Sequence, residues 1–370
     1  MSLPEGIKLA VKTKADHRAR IKGLKAALKT EKVDAILVSD INSARYLSGF
    51  TGSNVFMIIT PREAFFLTDP RYTEQAKAEV RGCKIRIFKK AFDEIADIAK
   101  GLKVKTLGFE AANLNFSTYS KLDKALSKVK LKPTAGVVGK LRQRKDAFEI
   151  ERLKASASLL DAGFKAAMRF IKPGAVEEEA AFSVEVAMRR RGAEALAFDT
   201  IIASGPRGAL PHGKASGKKI KKGELVVVDM GVIKDGYNSD ETRTFSVGRP
   251  QARQKEVYRI VKEAQAVAID AVKAGVKASD VDAAARGYIE KAGYGKYFSH
   301  GTGHGTGLEI HEGPSISPIS EDVLHEGMVI TVEPGIYIPG WGGVRIEDMV
   351  LVKKGGCEML TNSIRDLVIL

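Results

Sequence analysis

Leu225-Val-Val-Val-Asp229-Met-Gly-Val-Ile-Lys-Asp235-Gly236-Tyr-Asn-Ser-Asp240-Glu-Thr-Arg-Thr-Phe245 is the stretch on which the fold turns. Its apolar entry reads as a strand, and Asp235-Gly236 is a strong short-range signal for a two-residue hairpin turn. Pairing Lys234 with Tyr237 sets Asp240 opposite Gly231 and Thr242 opposite Asp229. Side chains alternate along a strand, so Asp229, Gly231, Asp240 and Thr242 share one face. The two carboxylates become diagonal neighbours within reach of one small object. Each buried ion needs several kcal/mol of compensation. A cation belongs between them, and a metal is the obvious candidate.

A second hairpin is expected from Met328–Tyr337 and Val344–Val352 across a Pro339–Gly343 turn. Centring that turn on Gly340 sets Glu333 opposite Glu347 on one face. Between the hairpins runs His300-Gly-Thr-Gly-His304-Gly-Thr-Gly-Leu-Glu-Ile-His311, whose glycines permit close backbone approach. Asp229, Asp240, His304, Glu333 and Glu347 supply four carboxylates and one imidazole, a formal charge that two divalent cations would balance. Oxygen-rich ligation with one imidazole suits Mn²⁺, favoured here, with Co²⁺ or Zn²⁺ as alternatives. Two metals about 3.5–4 Å apart are an arrangement used by aminopeptidases. Taken singly each feature is weak: Asp-Gly is a turn, and a lone Asp at a strand is more often a cap or surface group. Order and pairing together carry the inference.

The 370 residues are long for one domain and comfortable for two. With 44% hydrophobic residues and a mean hydropathy of −0.12, the composition is that of a globular protein. No apolar run reaches eighteen residues, which excludes a membrane span. The opening Met-Ser-Leu-Pro-Glu-Gly-Ile-Lys lacks the regions of a signal peptide, and Cys83 and Cys357 form no motif, so a cytoplasmic setting is expected. Net charge is +15. Residues 1–140 hold 27 Lys+Arg against 14 Asp+Glu, leaving +13, and the remainder carries +2. Without aromatic–basic interleaving this reads as a solvated surface rather than a nucleic-acid footprint.

Helical spacing over 15–32, strands near 33–39, 55–60, 64–67, 84–88 and 105–109, and helices near 71–80, 92–100 and 117–126 predict an α/β domain over a mixed sheet. The boundary is placed near residue 140, giving domains 1–140 and 141–370. The second begins with a long helix over 146–171, then a helix over 177–191 and a Gly- and Pro-rich loop over 203–217. After the first hairpin come helices over 255–274 and 279–292, the latter capped by Ser279 and Asp280.

The combination resembles the metallopeptidases of the pita-bread fold, the group of methionine aminopeptidase, aminopeptidase P and prolidase. Asp229 and Asp240 match the family's Asp-(ten residues)-Asp pair. His304, Glu333 in Val-Glu-Pro-Gly and Glu347 in Arg-Ile-Glu-Asp match its other ligands. Tyr46-Leu-Ser-Gly-Phe-Thr-Gly-Ser53 and Leu67-Thr-Asp-Pro-Arg-Tyr-Thr73 look like the N-terminal domain of the proline-specific members. Leu141-Arg142, Lys145-Asp146 and Glu149-Ile-Glu resemble their inter-domain helix. The fold class implied is α/β (α+β): a creatinase/prolidase-like domain followed by a pita-bread catalytic domain.

The resemblance implies cleavage of Xaa-Pro bonds by a hydroxide bridging two metals, with Glu333 moving the proton. It also implies substrate contacts from His212 and His300, carbonyl stabilisation by His311, and an orienting role for Arg345, with Thr242 hydrogen-bonding a ligand or the bridging oxygen. Tyr237, Tyr337 and Trp341 are suggested as walls of a proline pocket. His17 and His325 are read as surface residues. Prolidases often carry an arginine between the segments matching His311 and Glu333. Glu312–Val332 contains none, and this tilts the expectation to an Xaa-Pro aminopeptidase, with an Xaa-Pro dipeptidase as the alternative. A non-catalytic pita-bread binding protein is the competing class. The partners expected are a proline-containing peptide and a second copy in a homodimer.

Overall fold

The computed structural model describes residues 13–370 and forms two compact units, 14–142 and 143–370. The opening segment read for a signal peptide therefore lies outside the described residues.

The first unit runs α1 (His17–Glu31), β1 (Ala35–Val38), α2 (Ile41–Ser48), β2 (Phe56–Ile59), β3 (Ala64–Thr68), α3 (Thr73–Glu79) and β4 (Lys84–Ile87). It continues with α4 (Ala91–Gly101), β5 (Thr106–Glu110), α5 (Phe116–Ala125), β6 (Lys130–Thr134) and α6 (Val137–Gln143). One mixed sheet results, in the order β4-β3-β2-β1-β5-β6, with β1 antiparallel to β2 and parallel to β5. Leu37, Ile58, Leu67 and Leu107 of the sheet pack with Ile95, Ala99 and Leu122 of α4 and α5. Three elements were not expected: helix α2, strand β6 and helix α6, which follows directly on β6. Helix α2 has ordinary end signals, Asp40 accepting from the Ser43 amide and Gly49 left-handed at φ 85°. Strand β6 contains Pro133, which an edge strand tolerates. His17, read as a surface residue, is half-buried with Nδ1 3.1 Å from the Tyr46 carbonyl oxygen.

The second unit opens with α7 (Ala147–Ala157) and α8 (Leu160–Phe170), separated at Ser158–Leu159 where one long helix was expected. Asp146 and Glu149 form a capping box at the start of α7. Next come α9 (Glu177–Arg190), β7 (Ala195–Leu196), β8 (Ile201–Ser204), β9 (Leu225–Met230), β10 (Val232–Lys234), β11 (Tyr237–Asn238) and β12 (Glu241–Ser246). Then follow α10 (Ala252–Ala271), α11 (Ala278–Lys291), β13 (Gly303–Gly305), β14 (Glu312–Ile316), β15 (Val329–Val332), β16 (Gly335–Ile338), β17 (Gly342–Arg345), β18 (Asp348–Lys353) and β19 (Gly356–Met359). Helix α11 starts after Lys277 without a side-chain cap, so Ser279 and Asp280 sit inside its first turn rather than capping it.

Both expected registers are present. Lys234 pairs with Tyr237 and Asp229 with Thr242, and Asp235 (φ 50°) and Gly236 (φ 81°) adopt the left-handed conformations of a primed hairpin turn. In the other hairpin Val332 pairs with Asp348 and Gly335 with Arg345. Each hairpin is broken midway, however. Strands β9 and β12 join β8 in one sheet while β10 and β11 join β7 in another. Likewise β15 and β18 belong to a five-stranded sheet, and β16 and β17 pair apart from it. The breaks fall beside Asp229 and Asp240 and at Glu333 and Glu347.

Alternation explains which faces those residues take. Val226, Val228 and Met230 pack on Phe164, Ala167 and Val184 of α8 and α9, which turns Asp229 the other way. Ile330, Val332, Val350 and Val352 pack on Val257, Val261 and Ala264 of α10, which turns Thr331 and Glu333 away from the helices. Each hairpin thus seals one apolar face on helices and keeps carboxylates on the other.

Candidate metal centre

The four acidic residues and His304 line one cavity of about 450 Å³, and His212, His300, His311 and Arg345 line it too. The five expected ligands and the four expected substrate-side residues are therefore brought to one place. Close packing of glycine makes this geometry accessible: a Cβ at Gly303 would lie 2.0 Å from the Thr331 carbonyl oxygen, and one at Gly305 2.1 Å from that of Gly313. His304 sits between these glycines on β13.

The donors around the acidic groups are few and specific. Arg345 Nη2 donates to Asp229 Oδ2 at 2.6 Å, and Arg345 Nε donates to Thr242 Oγ1 at 3.0 Å. Thr242 in turn donates its hydroxyl to Glu347 Oε2 at 2.6 Å. Arg345 Nη1 reaches the Tyr337 hydroxyl and the Pro211 carbonyl oxygen. The Tyr337 oxygen also lies 2.9 Å from His300 Nε2. His304 Nδ1 faces the Gly305 carbonyl at 3.1 Å, so the proton belongs on Nδ1. Its Nε2 lone pair is left 3.6 Å from Asp240 Oδ2 and 3.4 Å from Glu333 Oε1.

Acceptors therefore face acceptors. Asp229 Oδ1 is buried without a hydrogen-bond partner. Ligand atoms of Asp240, His304 and Glu347 all lie within 4.8 Å of one another. Among the described residues no Lys or Arg pairs with Asp240, Glu333 or Glu347. Burial raises the carboxyls of Asp240 and Glu347 well above the usual carboxylate range, and the neighbouring acids push the same way. Burial also raises Glu333, and it holds His304, His300 and His311 below the ordinary histidine value. This donor set, hard oxygens plus one neutral imidazole, fits divalent metal ions, whose charge would relieve the crowding.

Several contributors escaped the sequence. Tyr337, expected as a pocket wall, is a buried hydroxyl joining His300 to Arg345, and its place two alternations beyond Glu333 was the available signal. Tyr237 donates its hydroxyl to Glu149, and Trp341 borders a different pocket, so neither walls this cavity; Phe198 and Ile201 supply apolar lining instead. Glu177 is fully buried and accepts from the Ser204 amide and hydroxyl, from Ser216 Oγ at 2.7 Å and from Arg207 Nε at 3.0 Å. One carboxylate so ties together both ends of the loop that carries His212. Asp282 of α11 accepts from Thr302 and Arg286, and Arg286 donates to the His300 carbonyl, which fixes the entry to β13.

Comparison with known proteins bears on the whole chain. Residues 151–354 match metallopeptidase family M24, and residues 20–144 match the creatinase/prolidase N-terminal domain. The Xaa-Pro dipeptidase of Pyrococcus furiosus is 42% identical over 353 residues, covering 95% of this chain and 100% of the relative. The solved Xaa-Pro dipeptidase from Bacillus anthracis superimposes with a TM-score of 0.94 at 44% identity, covering 96% of this chain and 100% of that one. The X-Pro aminopeptidase from Thermotoga maritima gives 0.86 at 39%, covering 95% and 99%.

Proposed function

This chain belongs to metallopeptidase family M24, with a creatinase/prolidase N-terminal domain before a pita-bread domain, and from that premise we propose that it is an Xaa-Pro dipeptidase. The observation that carries the substrate is the near full-length similarity to proteins named Xaa-Pro dipeptidase. The missing arginine in Glu312–Val332 had favoured an aminopeptidase, and the Thermotoga maritima relative keeps that as the second reading.

In this proposal Asp229, Asp240, His304, Glu333 and Glu347 hold two divalent metal ions, Mn²⁺ favoured. Bound there, the metals would supply an acidified water and polarise the scissile carbonyl. Glu333 accepts the proton of the attacking water as the new C–O bond forms. It returns that proton to the proline nitrogen as the C–N bond breaks. His311, exposed at the cavity and edge-on to His304 with ring centroids 4.3 Å apart, donates to the carbonyl oxygen as charge develops. His212 and His300 contact substrate, and Phe198 and Ile201 offer the proline ring an apolar surface. Because the proline amide has no N–H, a site lacking an acceptor there loses nothing by its absence. A homodimer and a cytoplasmic setting belong to the same proposal. No helix among the described residues is long and apolar enough to cross a membrane.

The test is hydrolysis of an Xaa-Pro dipeptide and an Xaa-Pro-Xaa tripeptide by metal-stripped protein with and without Mn²⁺, Co²⁺ or Zn²⁺. Metal-dependent cleavage with preference for the dipeptide is expected. Preference for the tripeptide moves the aminopeptidase to the front, and no cleavage with any metal defeats both.

A further inference from the structure

We propose that Lys214 receives the free carboxylate of the dipeptide substrate, an inference that rests on the dipeptidase reading. A dipeptide carries its carboxylate one residue beyond the scissile bond. Bringing that charge into a cavity needs a partner of opposite sign. Among the described residues lining the cavity, the cations are Arg345 and Lys214.

Arg345 is already committed. It is 3% exposed and donates to Asp229, Thr242, Tyr337 and Pro211. Turning it toward substrate would strip a buried carboxylate of its partner, which costs several kcal/mol. Lys214 is in the opposite condition. Its ammonium pairs with Asp199, and both side chains are largely exposed, 74% and 69%. An exposed pair of this kind contributes roughly 0–1 kcal/mol, so the ammonium can leave Asp199 for a substrate anion at small cost. The pairing with Asp199 raises the lysine further above its ordinary value, and it stays charged at neutral pH.

The backbone beneath Lys214 is held firmly. Arg207 donates to the Lys214 carbonyl, Ser216 and Ser204 are tied to Glu177, and the Pro211 carbonyl accepts from Arg345. A close approach of Gly208 to Gly343, with a Gly343 Cβ only 2.0 Å from the Gly208 carbonyl oxygen, seats the loop on β17. Only the four-carbon stem of Lys214 remains free to reach. His212, Ser315 and Ser317 line the same cavity and add donors. A lysine is a point charge without the fork of an arginine, so it selects a carboxylate by charge rather than by bidentate geometry. A cation on this loop also accounts for a dipeptidase whose Glu312–Val332 segment has neither arginine nor lysine.

The experiment compares an Xaa-Pro dipeptide with its C-terminal amide, using Mn²⁺-loaded wild type, Lys214→Ala and Lys214→Arg. Lys214→Ala is expected to raise KM for the dipeptide about tenfold, near 1.4 kcal/mol, and to leave the amide within about twofold. Lys214→Arg restores the dipeptide KM. Calorimetric titration with proline and prolinamide should reproduce the contrast without turnover. A parallel loss on acid and amide, or no change on either, overturns the role of Lys214 while the enzyme reading stands. If the wild type cleaves neither compound with Mn²⁺, Co²⁺ or Zn²⁺, the dipeptidase reading falls and takes this inference with it.

Discussion

Arg345 places one guanidinium nitrogen 2.6 Å from Asp229 Oδ2 and leaves Asp229 Oδ1 buried with no partner. One oxygen of that carboxylate is thus fixed by the protein and the other is reserved. Through Thr242 the same arginine also orients Glu347, so two acidic groups from two hairpins answer to one side chain.

Replacing Arg345 with lysine should therefore weaken metal binding and catalysis together. A single ammonium cannot reach Asp229, Thr242, Tyr337 and Pro211 at once. Outer partners of this type are worth about 10–100-fold in metal affinity or activity. Titration of stripped Arg345→Lys with Mn²⁺, read beside kcat, checks the direction and size. Unchanged metal affinity would show the network to be ornamental.

Metal removal should lower stability as well as activity. Binding to the folded state alone at one hundred times Kd adds about 2.7 kcal/mol. In a unit of this size that corresponds to roughly 5–10 °C in Tm. Thermal unfolding of chelator-treated protein before and after Mn²⁺ addition reads the shift directly. Equal melting temperatures would argue against an ion among these carboxylates.

The metal-free protein should become more stable as pH falls from 8 to 7. Asp240, Glu333 and Glu347 have folded-state values raised by burial, and Glu241 is pushed up to about 8, chiefly by burial. Between the unfolded and folded values the folded state binds more protons, so added acid favours folding. Below about 6.5 the lowered values of His300, His304 and His311 act oppositely, because the unfolded chain then takes up more protons. Denaturant titrations of stripped protein at pH 8 and 7 test this. The Mn²⁺-loaded protein should keep only the part owed to Glu241, since protons compete with the metal for the atoms of Asp240, Glu333 and Glu347.

Glu177→Gln should loosen the loop bearing His212. The amide keeps the geometry of the carboxylate but replaces one acceptor oxygen with a donor that faces donors from Ser204, Arg207 or Ser216. Arg207 is partly exposed, so the loss expected is that of a buried acceptor exchanged for an unsatisfied donor, about 1–3 kcal/mol. Chemical denaturation gives the magnitude, and a raised KM in the folded variant locates the effect at the loop.

Pattern in the chain was enough to put the acids of the two hairpins on common faces because strand alternation and turn chemistry are local. Asp235-Gly236 fixed one register and Gly340 the other, and four acids followed from counting. What stayed hidden depends on contacts distant in sequence. Glu177 precedes the loop it anchors by about 27 residues, and nothing near it marks a buried acceptor. The hairpin breaks had a signal in Gly231, where a Cβ would lie 2.4 Å from the Ser239 carbonyl oxygen, and in Pro334, which cannot donate to a ladder. Ser158–Leu159 interrupts a helical pattern without Gly or Pro, so periodicity ran through it. In the first unit, Asp40 and Gly49 bound a helix too short for its periodicity to stand out.

The six-stranded sheet of the first unit ends in two open rims, β4 and β6. Lys84 and Arg86 stand on one, and Lys130 and Lys132 on the other. Unpaired strand edges invite other strands to extend the sheet, and lysine on an edge discourages it. Lys84 is paired with Glu63 and Lys132 donates to the Glu31 carbonyl, so Arg86 and Lys130 are the cations a second molecule approaching rim to rim would meet first. Neutralising those four side chains should show first as aggregation on storage rather than as altered turnover.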